Sequence, residues 1–517
     1  MKHLLYYGLM TLTAFSLLTG CSKSEAPSIQ TDIDSENIID ISLSDDNILV
    51  DGTAISSDTG SAVYAANDIV YYPEGQDFTY GEGTAEDAHS REEADAHTVV
   101  HITAPGTYRI SGQLSAGQVA VDLGEEAEDD PSAVVNLVLS GAEINCSVAP
   151  AVIFYNVYEC GDADAEYATK DVDTSKAGAN VILADDSETN ISGSYVARIY
   201  KSYELNDEGS EVIDSEKLHK YDAAFYSKMS MNILGEKNGS GILNINAENE
   251  GLDSELHLTL NGGTINITSG NDGINTNEDE VSVTTINAGT LNILVTGKTG
   301  EGDGIDSNGW LVINGGTVTA QAYGESMDSG IDSDMGIHIN GGIVTATGNM
   351  LDRISESDQT YAVFQFMGSQ EAGSTYTLKT ASGKDIATYT PQNPFSCMVI
   401  SSPKLKKGTY TLWKNDTQLS AASSEMNGGF GGGPGGPGGQ KPGGMQPPEG
   451  MEFPEGEMPS FEEGEMPDFP EGEMPDIPQG ERPGGGRPNS DYFMNLLTDA
   501  QPEFEIKAGG NNFIVVE

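Results

Sequence analysis

The sequence predicts an all-β chain: a right-handed parallel β-helix with three short strands and about 26 residues per coil, closed by a small antiparallel β cap at its C-terminal end. Three observations predict it. Asn261-Gly-Gly-Thr-Ile, Asn287-Ala-Gly-Thr-Leu, Asn314-Gly-Gly-Thr-Val and Asn340-Gly-Gly-Ile-Val repeat one phrase, with the asparagines 26, 27 and 26 residues apart. A second phrase runs in phase: Gly251-Leu-Asp-Ser, Gly273-Ile-Asn-Thr, Gly304-Ile-Asp-Ser and Gly330-Ile-Asp-Ser. Between them, pieces such as Thr264-Ile-Asn-Ile and Thr290-Leu-Asn-Ile alternate apolar with polar residues and lack helical periodicity. One such repeat is too small to form a core alone, so stacked repeats must share one.

The elements follow in chain order. Residues 1–20 read as a signal peptide: Lys2 precedes an apolar run from Leu4 to Leu18, and Leu18-Thr-Gly-Cys21 matches a lipoprotein cleavage box. Cys21 then carries the lipid, and residues 21–35 form a spacer. Membrane contact is through that lipid only, and the expected address is the outer face of the cell membrane. An ordinary signal peptide with a chance cysteine is the competing reading. The β-helix is expected over residues 36–350, interrupted by insertions at about 71–97 and 195–221. In the first insertion, Thr84-Ala-Glu-Asp87 resembles a capping box, and the Asp87/Arg91 and Glu93/His97 spacings suit a short surface helix. His89, His97 and His101 read there as solvated histidines among acids rather than as a metal site. Phe225, in Asp222-Ala-Ala-Phe-Tyr-Ser-Lys, takes the place that Leu252 and Ile274 take in later coils. Residues 360–420 make the cap, which covers the unpaired edge of the last coil. Residues 426–490 are Gly/Pro/Glu/Met-rich and read as a disordered loop, with Met458, Met466 and Met474 a product of repeat expansion rather than a copper site. Residues 491–517 return a strand to the cap.

Composition narrows the partners. Against 24 basic residues stand 81 acidic ones, a formal charge of −57. That excludes nucleic acid, whose partners present basic surfaces, and favours divalent cations or a hydrated exterior. Of the cysteines after Cys21, Cys146 and Cys160 are the close pair. Export permits a disulfide between them, and buried free thiols are the equal alternative.

The chemistry gathers at the Gly-Ile-Asp corners. Asp253, Asp272, Glu301, Asp303, Asp306, Asp328, Asp332 and Asp334, with Asn275, fall where successive coils would stack them. Carboxylates so placed repel unless hydrated or bridged, and oxygen-only ligands suit calcium. Turn chemistry alone is the plainer reading of the same residues. Gly300-Glu-Gly-Asp-Gly-Ile-Asp also resembles a nonapeptide calcium repeat, present once. Trp310 and Tyr323 could offer faces to a sugar, and Lys298 is the single Lys or Arg between Gly241 and Met350. A lyase would use Lys298 as its base beside calcium, and a hydrolase would use aspartate pairs such as Asp303/Asp306 or Asp328/Asp332.

Thr107-Tyr-Arg-Ile-Ser-Gly, Leu139-Ser-Gly-Ala-Glu-Ile, Asp222-Ala-Ala-Phe-Tyr-Ser-Lys, the Gly-Ile-Asp corners, their Asn-Gly-Gly-Thr partners and Ile400-Ser-Ser-Pro together resemble a known family. It is the calcium-containing β-helix carbohydrate-binding family of clostridial cell-surface lipoproteins, and the resemblance covers about residues 36–415. It implies a polysaccharide-lyase-like fold that adheres to cellulose and pectate without established catalysis, with calcium on the acids of the corners. The two insertions and the Gly/Pro/Met segment depart from that pattern. The expected function is therefore calcium-assisted polysaccharide binding at the cell surface. A calcium-dependent polysaccharide lyase and a structural adhesion spacer are the alternatives.

Overall fold

The computed structural model describes residues 37–424, 497–498, 500–510 and 512–517. The signal peptide, Cys21, its spacer and the Gly/Pro/Met segment lie outside the described residues. The fold is all-β: the described residues hold one five-residue α-helix and one five-residue 3-10 helix among more than thirty strands.

Three ladders of parallel strands organise the chain. In the first, Tyr108, Leu137, Val181, Ile233, Leu260, Ile286, Ile313 and Ile339 pair in succession, one residue per pass. In the second, Ile144, Ile191, Ile245, Ile267, Ile293, Ala320 and Ala346 do the same. The third runs Val100, Val119, Val152, Phe225, Leu252 and Ile274, then bridges to Ile305. Every one of these side chains is buried. Alternation thus sends one residue in two inward, and the inward residues of all three ladders merge into one core. From Ile233 on, parallel pairing in the first ladder joins residues 26 or 27 apart, which is why the sequence repeats at that period there.

Asparagines mark the turn between the first two ladders. The amides of Asn261, Asn287, Asn314 and Asn340 form a stack, each Nδ2 donating to the Oδ1 below at 2.9 Å. A parallel stack joins Asn190, Asn244, Asn266 and Asn292 at 2.8–2.9 Å. Each amide inside a stack gives one hydrogen bond to the pass below and takes one from the pass above, so a polar position there costs little.

The last pass is covered by antiparallel strands. Ile343–Gly348 pairs with Phe395–Ser401, which also pairs with Tyr361–Gln370. Phe504–Ile506 adds to Gly408–Lys414. Phe513–Val516 lies between Ala421–Ser424, antiparallel, and Tyr361–Gln370, parallel. The end of the stack is thereby paired rather than left open.

The two insertions associate. Gly81 bridges Ile199, the Tyr195 hydroxyl donates to Asp87, and Lys217 Nζ lies 2.8 Å from Glu82. Asp87 is therefore not part of a helix cap with Thr84. It binds the Thr84 amide and hydroxyl in a turn, and the helix Arg91–Asp95 is capped by Ser90 with Glu93. Arg91 pairs with Asp95 rather than with Asp87. His97 is buried, not solvated, with Nδ1 on the Glu93 carbonyl at 2.7 Å. His101 stacks on Tyr64 and reaches Asp68. From the second insertion a hairpin, Tyr200–Leu205 and Val212–Lys217, forms a two-stranded sheet of its own.

Cys146 and Cys160 are free thiols, so the possible disulfide between them is not formed. Cys146 ends a strand in the core, where burial pushes its thiol up to about 11. Cys160 sits half-buried in a loop and approaches the Asp173 carbonyl. Cys397 is buried in the cap as a third free thiol.

Candidate functional site: an acidic column on the third ladder

The third ladder repeats a six-residue phrase with strict register. Glu250-Gly-Leu-Asp253-Ser-Glu255 lies beside Asp272-Gly-Ile-Asn275-Thr-Asn277. Asp303-Gly-Ile-Asp306-Ser-Asn308 and Ser329-Gly-Ile-Asp332-Ser-Asp334 follow in step, held by main-chain bonds such as Asp306 N to the Ile274 carbonyl at 2.8 Å and Asp332 N to the Ile305 carbonyl at 2.7 Å. The Leu or Ile of each phrase points into the core. Alternation then turns the fourth residue outward, so Asp253, Asn275, Asp306 and Asp332 form one column about 4.8 Å apart per step. Tyr226 continues that column one pass below Asp253.

The first residues of the phrase form a second column, and its carboxylates stitch one pass to the next. Asp272 Oδ1 accepts from the Asp303 amide at 2.6 Å, and Asp303 Oδ1 accepts from the Ser329 amide. Asp328 accepts from the Gly302 amide, and Asp352 from the Ser333 amide at 3.1 Å. Backbone donors thus meet some carboxylate oxygens, but far fewer than the acids supply.

Burial dominates the electrostatics. It pushes Asp272 up to about 7 and Asp306 and Asp332 each up to about 8. Neighbouring carboxylates push in the same direction: Asp328, Glu301 and Asp332 on Asp272, and Asp352 and Asp306 on Asp332. Glu250, Asp253 and Asp303 are raised well above the usual carboxylate range, again chiefly by burial. Positive charge enters at the lower end, where Arg198 Nη2 meets Asp222 at 2.7 Å and Lys220 Nζ lies 3.9 Å from Glu255, and at the upper end, where the Arg353 charge favours ionised Asp352.

Three oxygens carry the chemical signal. Glu250 Oε2, Asp253 Oδ2 and Asn275 Oδ1 are buried without a hydrogen-bond partner among the described residues. Neighbouring bonds tie these residues together: Asn275 Nδ2 donates to Glu250 Oε1 at 3.3 Å, and Asn277 Nδ2 to Asp253 Oδ1 at 2.7 Å. A buried acceptor with no donor is costly unless a cation or water meets it. An all-oxygen donor set with two carboxylates and an amide fits a hard cation. Among the described residues no three His, Cys, Asp or Glu side chains already stand in the geometry of a metal centre, because the acids are strung along the ladder.

All nine acids and amides expected from the corners lie on or beside this column, Glu301 and Asp334 at its exposed margin. Glu250, Glu255, Asp222 and Asp352 join them unanticipated. Glu250 and Glu255 had a signal in the sequence, since they hold the first and sixth places of the repeated phrase. Asp222 and Asp352 precede and follow the clean repeat and had none.

The three expected sugar-contacting residues divide. The Tyr323 ring lies on Gly297, where a Cβ would stand 2.2 Å from a ring carbon, and Gly297 has φ +66°. That places Tyr323 beside Lys298, at the start of the third-ladder pass. Lys298 is ion-paired with Glu248. Trp310 is half-buried at the far end of the same pass, paired with Val283 and Gly336. The Tyr323 ring therefore lies on the residue that precedes Lys298, while Trp310 opens the next strand of the first ladder.

A family model described as carbohydrate-binding domain-containing protein matches residues 96–429. Among solved structures, a polysaccharide lyase-like protein from C. thermocellum, in a gadolinium derivative, is similar at 18% identity with a TM-score of 0.33. That match covers 62% of this chain and 91% of the other. No curated protein matches.

Proposed function

The chain belongs to the carbohydrate-binding domain-containing family, and from that premise we propose a calcium-loaded polysaccharide-binding protein anchored by a lipid on Cys21 to the outer face of the cell membrane. The scaffold in this reading is a right-handed parallel β-helix. Three parallel ladders in step support it, together with the right-handed rule for parallel crossovers. Plant cell-wall or gut glycans, with pectate or cellulose among them, are the ligands proposed.

The observation that carries the calcium part is the set of orphaned oxygens on buried Glu250, Asp253 and Asn275 at the lower end of a column of half-buried acids. Those three would hold the ion, and Asp272, Asp303, Asp306 and Asp332 would supply further ligands above them. Calcium, when bound, supplies positive charge that lets buried carboxylates ionise together. Glu250, Asp253, Asp272, Asp303, Asp306 and Asp332 then stay fixed along the third ladder instead of repelling. Near them, Lys298 and Tyr323 at one end of the pass and Trp310 at the other offer a hydrogen-bonding and two aromatic groups to sugar.

The test measures melting temperature and polysaccharide binding in millimolar calcium and in excess chelator. For an extracellular site with Kd on the order of 10⁻⁴ M, about 10 mM calcium is roughly a hundredfold excess and stabilises by about 2.7 kcal/mol. Melting should rise by several degrees on adding calcium, and retention on insoluble polysaccharide should accompany it. An unchanged melting temperature would remove calcium from the account, and absence of retention on every polysaccharide in both conditions would remove the binding function.

A further inference from the structure

We propose that a groove on the outside of the second ladder seats an uncharged glycan strand lying along the stack, one sugar per pass. This rests on the polysaccharide-binding reading above and gives it a place and a ligand class.

The groove has a volume of about 370 Å³, within the range of small-molecule sites. Its floor is a single register column, Asn145, Ser192, Asn246 and Thr268, on four successive passes. At about 4.8 Å per step the column spans about 14 Å, and its rise is close to the advance per residue of an extended β-linked glycan. Ser192, Asn246 and Thr268 are at least partly exposed, and their side chains make no hydrogen bond among the described residues. Donors and acceptors are thus presented at the spacing of the stack.

One wall is the next outward column, with Ser147, Ser194 and Glu248. Gly270 continues it, and a Cβ there would stand 1.9 Å from the Glu248 carbonyl oxygen, so this wall stays low. Above Thr268 the same register position is Leu294, and the loop of Asn393 binds the Val295 carbonyl at 2.7 Å, which ends the groove after four passes.

Charge selects the ligand class. Glu248 and Lys298 are the charged side chains of the lining, and they pair with each other. Ser194 donates a further hydrogen bond to Glu248 at 2.8 Å. The groove is neutral as a whole on a chain of formal charge −57, so a polyanionic strand gains no attraction there and meets long-range repulsion. Sugar hydroxyls match serine, threonine and asparagine without that penalty. The larger recess on the first ladder, about 490 Å³, is a poorer candidate. Its amides are bound internally: Asn232 Nδ2 donates to the Thr174 carbonyl and to Asn180 Oδ1, and Asn180 Nδ2 to the Ala177 carbonyl.

Calorimetry on the full chain in calcium tests the assignment, using di- and tetrasaccharides of β-1,4-linked glucose, mannose and xylose against oligogalacturonate of equal length. At least one neutral tetrasaccharide should bind, more tightly than its disaccharide and than the uronate. Asn246→Trp should weaken it by about tenfold or more by filling the groove, and Asn246→Ala with Thr268→Ala by a smaller factor at unchanged melting temperature. The assignment falls if folded Asn246→Trp and Asn246→Ala/Thr268→Ala proteins bind like the parent, if uronate is preferred, or if polymer is retained while no neutral tetrasaccharide binds. In those outcomes the broader reading survives, because the parent still binds polysaccharide. A parent that binds no polysaccharide of any kind overturns both.

Discussion

Asp306 and Asp332 are one pass apart on the outward column, and burial pushes each up to about 8. In an unfolded chain an aspartate titrates near about 3.9. The folded form therefore holds more protons than the unfolded form between those values, and stability falls as pH rises across that window. Asp272, pushed up to about 7, adds to the same trend. By this term chelated protein should melt highest at and below about pH 4 and progressively lower toward pH 8, and calcium should flatten the profile. A chelated protein whose melting temperature rises steadily from pH 5 to pH 8 would contradict the burial of these acids. Replacing Asp306→Asn together with Asp332→Asn removes two charges at no cost in volume. The double variant should be more stable than the parent in chelator at pH 8 and should respond less to calcium, as read by paired melting curves. Which acids matter was partly legible beforehand. The Gly-Ile-Asp phrase points to Asp253, Asp306 and Asp332 directly, because the period is printed in the glycines. Asp222 and Asp352 are brought in by segments outside the clean repeat, where spacing gives no register.

Elements show the same division between what repeats and what does not. Rung residues were readable, down to Phe225 standing in line with Leu252, since a period-2 alternation inside a fixed repeat fixes both face and pairing. The association of the two insertions was not readable, since Gly81 with Ile199 and Tyr195 with Asp87 are contacts between non-repeating segments over 100 residues apart. The amide stacks lie between these cases: the asparagine spacing was visible, its bonding was not. Ile274→Ala should cost about 2–5 kcal/mol, as a cavity in a core that cannot collapse. Asn287→Ala should cost about 2 kcal/mol, through two partners left unmatched in a half-exposed stack. Chemical denaturation of the two variants checks that order. Among the described residues the hairpin Tyr200–Leu205 and Val212–Lys217 pairs with no other strand, and two-stranded sheets contribute little alone. Replacing it by a short glycine-rich turn should leave the melting temperature within about two degrees, provided Arg198 and the 218–222 segment are kept. A large loss would mean that the hairpin braces the lobe that covers the lower third ladder.

At the scale of the molecule, one stack carries two surfaces of opposite character. The third ladder presents closely spaced acids that burial and one another push up, and the second presents a neutral polar groove beside them. Both are built by the same repeat, so under the proposed function calcium on the acid column would also fix the passes that carry Asn145, Ser192, Asn246 and Thr268. The all-β architecture of parallel strands and the acidic corners follow from period and composition. The groove does not, because it depends on which polar residues share a register column and stay unbonded. The most direct test of calcium-assisted polysaccharide binding is retention of the full chain on an insoluble polysaccharide, first in millimolar calcium, then in excess chelator, then with calcium restored. The account predicts retention, release and renewed retention. Equal retention with and without chelator, or none in calcium, would contradict it.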